Sequence, residues 1–272
     1  MLPRARLKRI LSYQEKKGRK KGNCFLVEGT RLVEEALRSD WKVQELFFSS
    51  EFSATETGTS LLALARQRKI DAIQIQSQAL RKMAETETPQ GIIVVVEKRE
   101  SNLGSLVGQN PEFLVALEHV KDPGNLGTVI RTADALGVKA LLISQDSVEL
   151  YNPKTIRSTM GSLFHLPIFY PVELLDVLKV LKKDYRILAA VSKGGISPQG
   201  LEYSQPVCLI LGGEAFGLSE EIVKLADLKV SIPNFGQAES LNLSVAAGIL
   251  MYEIAMSKNL RTKPKVLRIQ QE

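Results

Sequence analysis

Short apolar runs alternate with amphipathic stretches along most of this chain. Between Phe25 and Glu97 the pattern predicts strands near Phe25–Val27, Val43–Phe48, Ala72–Ile75 and Ile92–Val96. Helices are predicted between them at Thr30–Arg38, around Leu61–Arg68 and at Gln78–Ala84, which makes a small α/β unit. The polar, turn-rich stretch Lys98–Pro111 then interrupts the alternation. Beyond it, strands are predicted at 113–118, 139–144, 167–170, 185–190, 207–211 and 228–232, and helices at 125–137, 153–160, 172–182, 219–226 and 241–257. That order predicts a mainly parallel sheet with helices on both faces. The expected organisation is a basic N-terminal arm or helix (1–22), a small α/β domain (23–98), a linker (99–111), a larger α/β domain (112–258) and a basic tail (259–272).

Charge changes this picture locally. Residues 1–22 carry nine Lys or Arg against Glu15, whereas the rest of the chain is close to neutral. Such a patch predicts contact with a polyanion, most readily nucleic acid, with Arg4, Arg9, Lys20 and Lys21 among the contacts. A membrane-surface arm and a merely solubilising segment are the competing readings. A second basic cluster follows the last helix, at Lys258, Arg261, Lys263, Lys265 and Arg268. No apolar run approaches the roughly 20 residues that span a bilayer, and the N-terminus lacks the apolar core of a signal peptide. Two cysteines, Cys24 and Cys208, predict neither a disulfide framework nor a metal cluster, and His119 and His165 have no metal partners at ligand spacing. No metal and no membrane are expected, and the default compartment is a reducing cytoplasm.

The candidate chemistry lies in two loops near the C-terminus. Gly212-Gly213-Glu214-Ala215-Phe216-Gly217 follows one predicted strand and Pro233-Asn234-Phe235-Gly236-Gln237-Ala238-Glu239-Ser240 follows another. Glycines at the C-terminal end of a strand let backbone approach a ligand, and open α/β sheets bind ligands at that edge. The same glycines could equally end a strand and cap a helix. The spacing is not that of a nicotinamide-binding turn. Ser240 is the expected N-cap of the last helix, with Asn242 and Ser244 in its first turn.

The stretches Asp122–Val138 (DPGNLGTVIRTADALGV), LILGGEAFGLS from Leu209 and IPNFGQAESLNLSVAAGILMYE from Ile232 resemble, in order and spacing, the three motifs of SpoU/TrmH-type RNA 2′-O-ribose methyltransferases. CFLVEGTRLVEEALRS from Cys24, with VQELFFS from Val43, is similar to the RNA-binding domain that often precedes the catalytic one. The resemblance implies a deep trefoil knot in the C-terminal sheet, a homodimer whose two chains complete each site, and S-adenosylmethionine as cofactor. It implies that Arg131 acts at the ribose 2′-oxygen and that Asn125, Glu214, Ser240 and Asn242 position it and the substrate. Gly212, Gly213, Ile232, Phe235, Gly236 and Leu241 would hold the cofactor, and Arg31, Lys154 and Arg157 would add RNA contacts. Asn234 departs from the family pattern, where methionine often follows Ile-Pro. The activity implied is methyl transfer to a ribose 2′-hydroxyl in structured RNA, ribosomal RNA ahead of transfer RNA. The alternative is a non-catalytic RNA-binding or ribosome-associated protein that keeps the fold.

Overall fold

The computed structural model describes residues 2–100, 102–104, 106, 111–201 and 203–258. In its N-terminal half, β1 (Cys24–Glu28), β2 (Val43–Phe48), β3 (Asp71–Gln74) and β4 (Ile92–Glu97) form a mixed sheet in the order β1-β4-β2-β3. Only β2 and β3 pair in parallel. Strand β4 is apolar at successive positions because the sheet is covered on both faces: Ile92, Val94 and Val96 join Leu32, Val33 and Leu37, while Ile93 and Val95 join Ile10, Leu80 and Met83.

The second sheet contains β5 (Phe113–Glu118), β6 (Ala140–Ser144), β7 (Ile168–Val172), β8 (Arg186–Ala190), β9 (Val207–Gly212) and β10 (Leu228–Val230), in the order β10-β8-β9-β5-β6-β7. Every pairing in it is parallel, as the strand–helix alternation predicts. Burial on both faces again explains the unbroken apolar run of β5, whose Phe113, Val115 and Leu117 enter one cluster and Leu114 and Ala116 another. The neighbouring C-terminal ends of β5 and β9 put Glu118 beside Gly212.

One expectation is sharpened and two are corrected. Residues 4–21 take the helical form and are docked: helices Arg4–Ser12 and Lys16–Lys21 pack on the small sheet, burying Ile10 and Tyr13. Arg6 and Arg9 pair with Glu45, and Arg19 is only 3% exposed, so part of the local charge is neutralised inside the chain. Composition hid this because the apolar positions that dock these helices are few. The last helix runs Leu243–Ser257 and is capped by Asn242, whose Oδ1 accepts from the Ser244 N–H at 2.9 Å, so Ser240 lies before the cap. Finally, a short helix at Ser50–Ser53, capped by the Ser49 hydroxyl, precedes Glu56–Gln67, which begins earlier than the apolar spacing indicates. The tail 259–272 and most of the stretch 105–110 lie outside the described residues.

The two halves share one apolar core. Phe25 packs on Tyr151 with ring centroids 4.6 Å apart, and Trp41 meets Phe164 edge-on at 5.4 Å. Arg19 donates from Nε to Glu149 Oε1 and from Nη2 to Oε2, both at 3.0 Å, across the same seam. His165 bridges Asp134 and Glu35 at 3.0 Å each. Its charged form is favoured: partial burial opposes the charge, and the two carboxylates outweigh it.

Candidate functional site

Three segments meet at the C-terminal edge of the large sheet. After β5 the chain turns into helix Pro123–Ala135, whose start is fixed by Asp122: its Oδ1 accepts the Asn125 N–H at 2.8 Å, with Pro123 in the first turn. The cap places the Asn125 side chain toward the loop after β9. There Asn125 Nδ2 donates to the Glu214 carboxylate, and Asn242 Nδ2 donates to Asn125 Oδ1 at 3.1 Å. Asn242 can do so because its other amide atom is already committed to the Ser244 N–H and hydroxyl. Three of the five residues expected to be catalytic thus form one hydrogen-bonded chain across three sequence segments.

Arg131 lies six residues beyond Asn125 on the same helix and is exposed, about 9 Å further along the axis. Ser240 is also exposed, at the end of the loop leading to Asn242. Of the expected RNA contacts, Arg4, Lys20, Lys21 and Arg31 are exposed, and Lys154 pairs with Asp122 at 3.4 Å, beside the asparagine–glutamate chain. Arg157 is different. It is half-buried in the seam between the domains, with Gln14, Glu28 and Met83.

The glycine loop is shaped by close backbone approach. A Cβ on Gly212 would lie 2.1 Å from the Gly217 carbonyl carbon, and one on Gly213 would lie 2.0 Å from the His119 oxygen. Gly213 donates its N–H to the Glu118 carbonyl at 2.7 Å and accepts from the Gly217 N–H at 2.9 Å. Its contribution to a pocket is therefore shape, since its own N–H is used within the chain. The second loop is open: positions 233–242 are all exposed, Phe235 at 99%, and Ile232 before them is half-buried. Gly236 donates to Asn234 Oδ1 at 2.9 Å, so the atypical Asn234 closes a tight turn under Phe235.

One important side chain went unread in the sequence. Glu118, at the end of β5, is 6% exposed and accepts the Ser219 N–H at 2.8 Å and the Ser219 hydroxyl at 2.7 Å. It clamps the far end of the glycine loop. A carboxylate closing the apolar run FLVALE was the available signal. The chain leaving β8 at Val191-Ser192 was also overlooked; β8 lies between β9 and β10, so this segment emerges between the two candidate loops.

Among the described residues, no group of three or more His, Cys, Asp or Glu could hold a metal ion, and no helix is long and apolar enough to cross a membrane.

A family model described as the SpoU rRNA Methylase family matches residues 112–252, more than half of the chain. The chain belongs to the SpoU rRNA methylase family. A second model, described as an MRM3-like substrate binding domain, matches residues 4–94, a span that includes the N-terminal helices. Within the family, the chain is 36% identical over 244 residues to the 23S rRNA (guanosine(2553)-2′-O)-methyltransferase RlmP of Bacillus subtilis, covering 88% of this chain and 91% of that protein. It is 31% identical to a 23S rRNA (uridine(2479)-2′-O)-methyltransferase of Streptomyces viridochromogenes, covering 84% and 81%. The crystal structure of the SpoU methyltransferase AviRb from the same organism, in complex with AdoMet, superposes with a TM-score of 0.83 at 29% identity, covering 93% of this chain and 98% of that one. An AdoMet-bound rRNA methyltransferase from Sinorhizobium meliloti superposes with a TM-score of 0.82 at 31% identity, covering 93% and 95%.

Proposed function

We propose that this protein transfers the methyl group of S-adenosylmethionine to a ribose 2′-hydroxyl of ribosomal RNA. The observation that carries the reading is the Asn242–Asn125–Glu214 chain, which ties both candidate cofactor loops to the helix bearing Arg131. A structural role alone does not require three polar side chains from three segments to converge at an exposed sheet edge. The residues also fit the cofactor: Phe235 and Leu241 are apolar yet uncovered on a loop that ends on the same edge, which suits an adenosine moiety. When bound, S-adenosylmethionine supplies an electrophilic methyl on a sulfonium. Transfer of that methyl to the 2′-oxygen would leave S-adenosylhomocysteine, with the hydroxyl proton released to solvent.

In this reading the chain's own residues orient and stabilise. Gly212, Ile232, Gly236 and Leu241 line the cofactor side, with Gly213 giving the loop its shape. Asn125, Ser240 and Asn242 hold the ribose edge, and Glu214 fixes Asn125 through its Nδ2. Arg131 offers guanidinium N–H donors to the oxygen as negative charge develops there. Arg31, Lys154 and the exposed part of the N-terminal basic segment serve as phosphate contacts. The C-terminal trefoil knot and a cytoplasmic, ribosome-directed setting belong to the same reading. Incubating ribosomal and transfer RNA with the protein and labelled S-adenosylmethionine, followed by nucleoside mass spectrometry, tests it: a 2′-O-methyl nucleoside is expected from ribosomal RNA. Failure to bind S-adenosylmethionine would favour the non-catalytic RNA-binding alternative.

A homodimer is part of the same proposal. Helix Leu243–Ser257 buries Leu243, Ala247, Leu250, Met251 and Ile254, but it also exposes Val245, Ile249, Tyr252 and Met256, which recur at helical spacing on the opposite side. A helix that is apolar all round calls for cover on both faces. In a two-fold interface each residue counts twice. Ile249→Asp is therefore expected to cost about 3 kcal/mol or more of association, roughly a hundredfold in dissociation constant. Light scattering over a concentration series checks this, and a monomeric wild-type protein would refute it.

A further inference from the structure

Phe216 lies at the tip of the glycine loop after β9, next to Gly217. It is 83% exposed; the other exposed large apolar side chains near the site are on the loop after β10 or the outer face of the last helix. It is also not on a loose tip. Gly213 donates to Glu118 O, Gly217 donates to Gly213 O, and the Glu118 carboxylate holds the Ser219 N–H and hydroxyl, so both ends of Glu214-Ala215-Phe216 are pinned. Gly217 takes φ +65° to close the turn, which few other residues adopt. The tip is fixed a third time where Glu214 accepts from Asn125. An exposed aromatic ring is thus carried on a pinned backbone, two residues from the Glu214 end of the Asn242–Asn125–Glu214 chain.

We propose that Phe216 is a stacking platform for an unpaired nucleobase of the substrate RNA, either that of the methylated nucleotide or its neighbour. The proposal rests on the methyltransferase reading and deepens it. RNA is read in single-stranded loops, where splayed bases stack on aromatic side chains, and stacking tolerates any base because each has a π-face. A ribose presented to Asn125 and Asn242 brings a base along with it. The backbone that carries the ring is already pinned, so engaging a base requires ordering only the two torsions of the phenylalanine side chain. Phe216 would then set which flanking nucleotides fit, while Arg131 acts on the oxygen.

The test compares wild type with Phe216→Ala, Phe216→Leu and Phe216→Trp, measuring KM for RNA, kcat, S-adenosylmethionine affinity and molecular mass. The alanine and leucine variants are expected to raise KM for RNA about tenfold or more, tryptophan to restore it, and cofactor affinity and mass to stay unchanged. Unchanged KM in the alanine variant would overturn the proposal. So would a leucine variant equal to wild type, since an apolar contact would then suffice. A parallel loss of cofactor affinity would instead put Phe216 in the cofactor pocket, and a shift in mass would put it at a subunit interface; either overturns the proposal. A wild-type protein that binds S-adenosylmethionine but methylates no RNA would fail at the underlying reading and take this proposal with it.

Discussion

Arg131→Ala is expected to lower kcat for RNA methylation by about 10²–10³-fold while leaving S-adenosylmethionine affinity within about twofold of wild type. The split follows from position. Arg131 is exposed on helix Pro123–Ala135, whereas the residues proposed to hold the cofactor are on the loops after β9 and β10. Its side chain is not part of the buried stripe Leu126, Val129, Ile130 and Ala133, so removing it opens no cavity and should leave the helix in place. What is lost is a multi-donor cation at an oxygen that gains negative charge as it attacks, an interaction stronger in the transition state than in the ground state. Arg131→Lys should recover only part of the rate, because an ammonium is a compact charge without the planar fork of donors. Single-turnover methylation with saturating RNA, beside calorimetry for the cofactor, separates the two quantities. A cofactor affinity that falls as far as kcat would show that Arg131 holds the methyl donor rather than the 2′-oxygen.

Asn125→Ala makes a useful contrast. Its side chain accepts from Asn242 and donates to Glu214, so its loss frees two segments at once, whereas the proposed role of Arg131 is at the 2′-oxygen. This difference shows how unevenly the site was legible in the sequence. The positions of the loops followed from the apolar runs, since Val207–Leu211 and the residues before Pro233 are the stretches that feed them. Glycines and capping residues then marked where backbone could bend. The hydrogen bonds that join Asn125, Glu214 and Asn242 were not legible, because partners 89 and 117 residues apart leave no local period. Even the cap was ambiguous: Ser240 and Asn242 are both good N-cap types two residues apart, and only the bond from Ser244 decides between them. Glu118 was overlooked for a related reason. A carboxylate at a strand end usually faces solvent, and its burial depends on Ser219, 101 residues away.

The same limit hid how the N-terminus docks. Lys and Arg dominate residues 1–22, and a charge-rich segment reads as a solvated arm. Its docking depends on Ile10 and Tyr13 and on one arginine whose partner lies in the other half of the chain. The resulting seam is a packed core and not a polar hinge, with Phe25, Trp41, Tyr151 and Phe164 at its centre. Aromatic pairs of this kind add about 0.5–1.5 kcal/mol each beyond the area they bury. The RNA-binding half and the site half are therefore held at a set distance and angle. If the proposed contacts hold, a substrate bound by Arg31 on one half reaches Asn125 on the other only where its fold spans that distance, which makes shape part of the selection.

Glu149→Ala tests how much of that seam depends on its buried ion pair. The side chains of Arg19 and Glu149 are 4% and 9% exposed and are joined by two parallel hydrogen bonds, with Arg19 Nη1 also donating to the Tyr13 carbonyl at 3.0 Å. Removing the carboxylate strands a guanidinium in a site with little water, and breaking a buried pair from one side costs about 3–5 kcal/mol. For a chain of this size that corresponds to a fall of roughly 10 °C in Tm, because each kcal/mol is worth about 2–4 °C. The expected loss comes from the stranded charge and not from missing attraction, and a second variant distinguishes these. Arg19→Met combined with Glu149→Leu removes both charges at similar volume, and such replacements are often neutral or stabilising, so most of the lost Tm should return. Calorimetry on the three proteins checks both statements. A Glu149→Ala protein within about 2 °C of wild type would mean that water reaches Arg19 once the carboxylate is gone; a double variant no better than the single one would mean that the pair's geometry, and not its burial, fixes the seam.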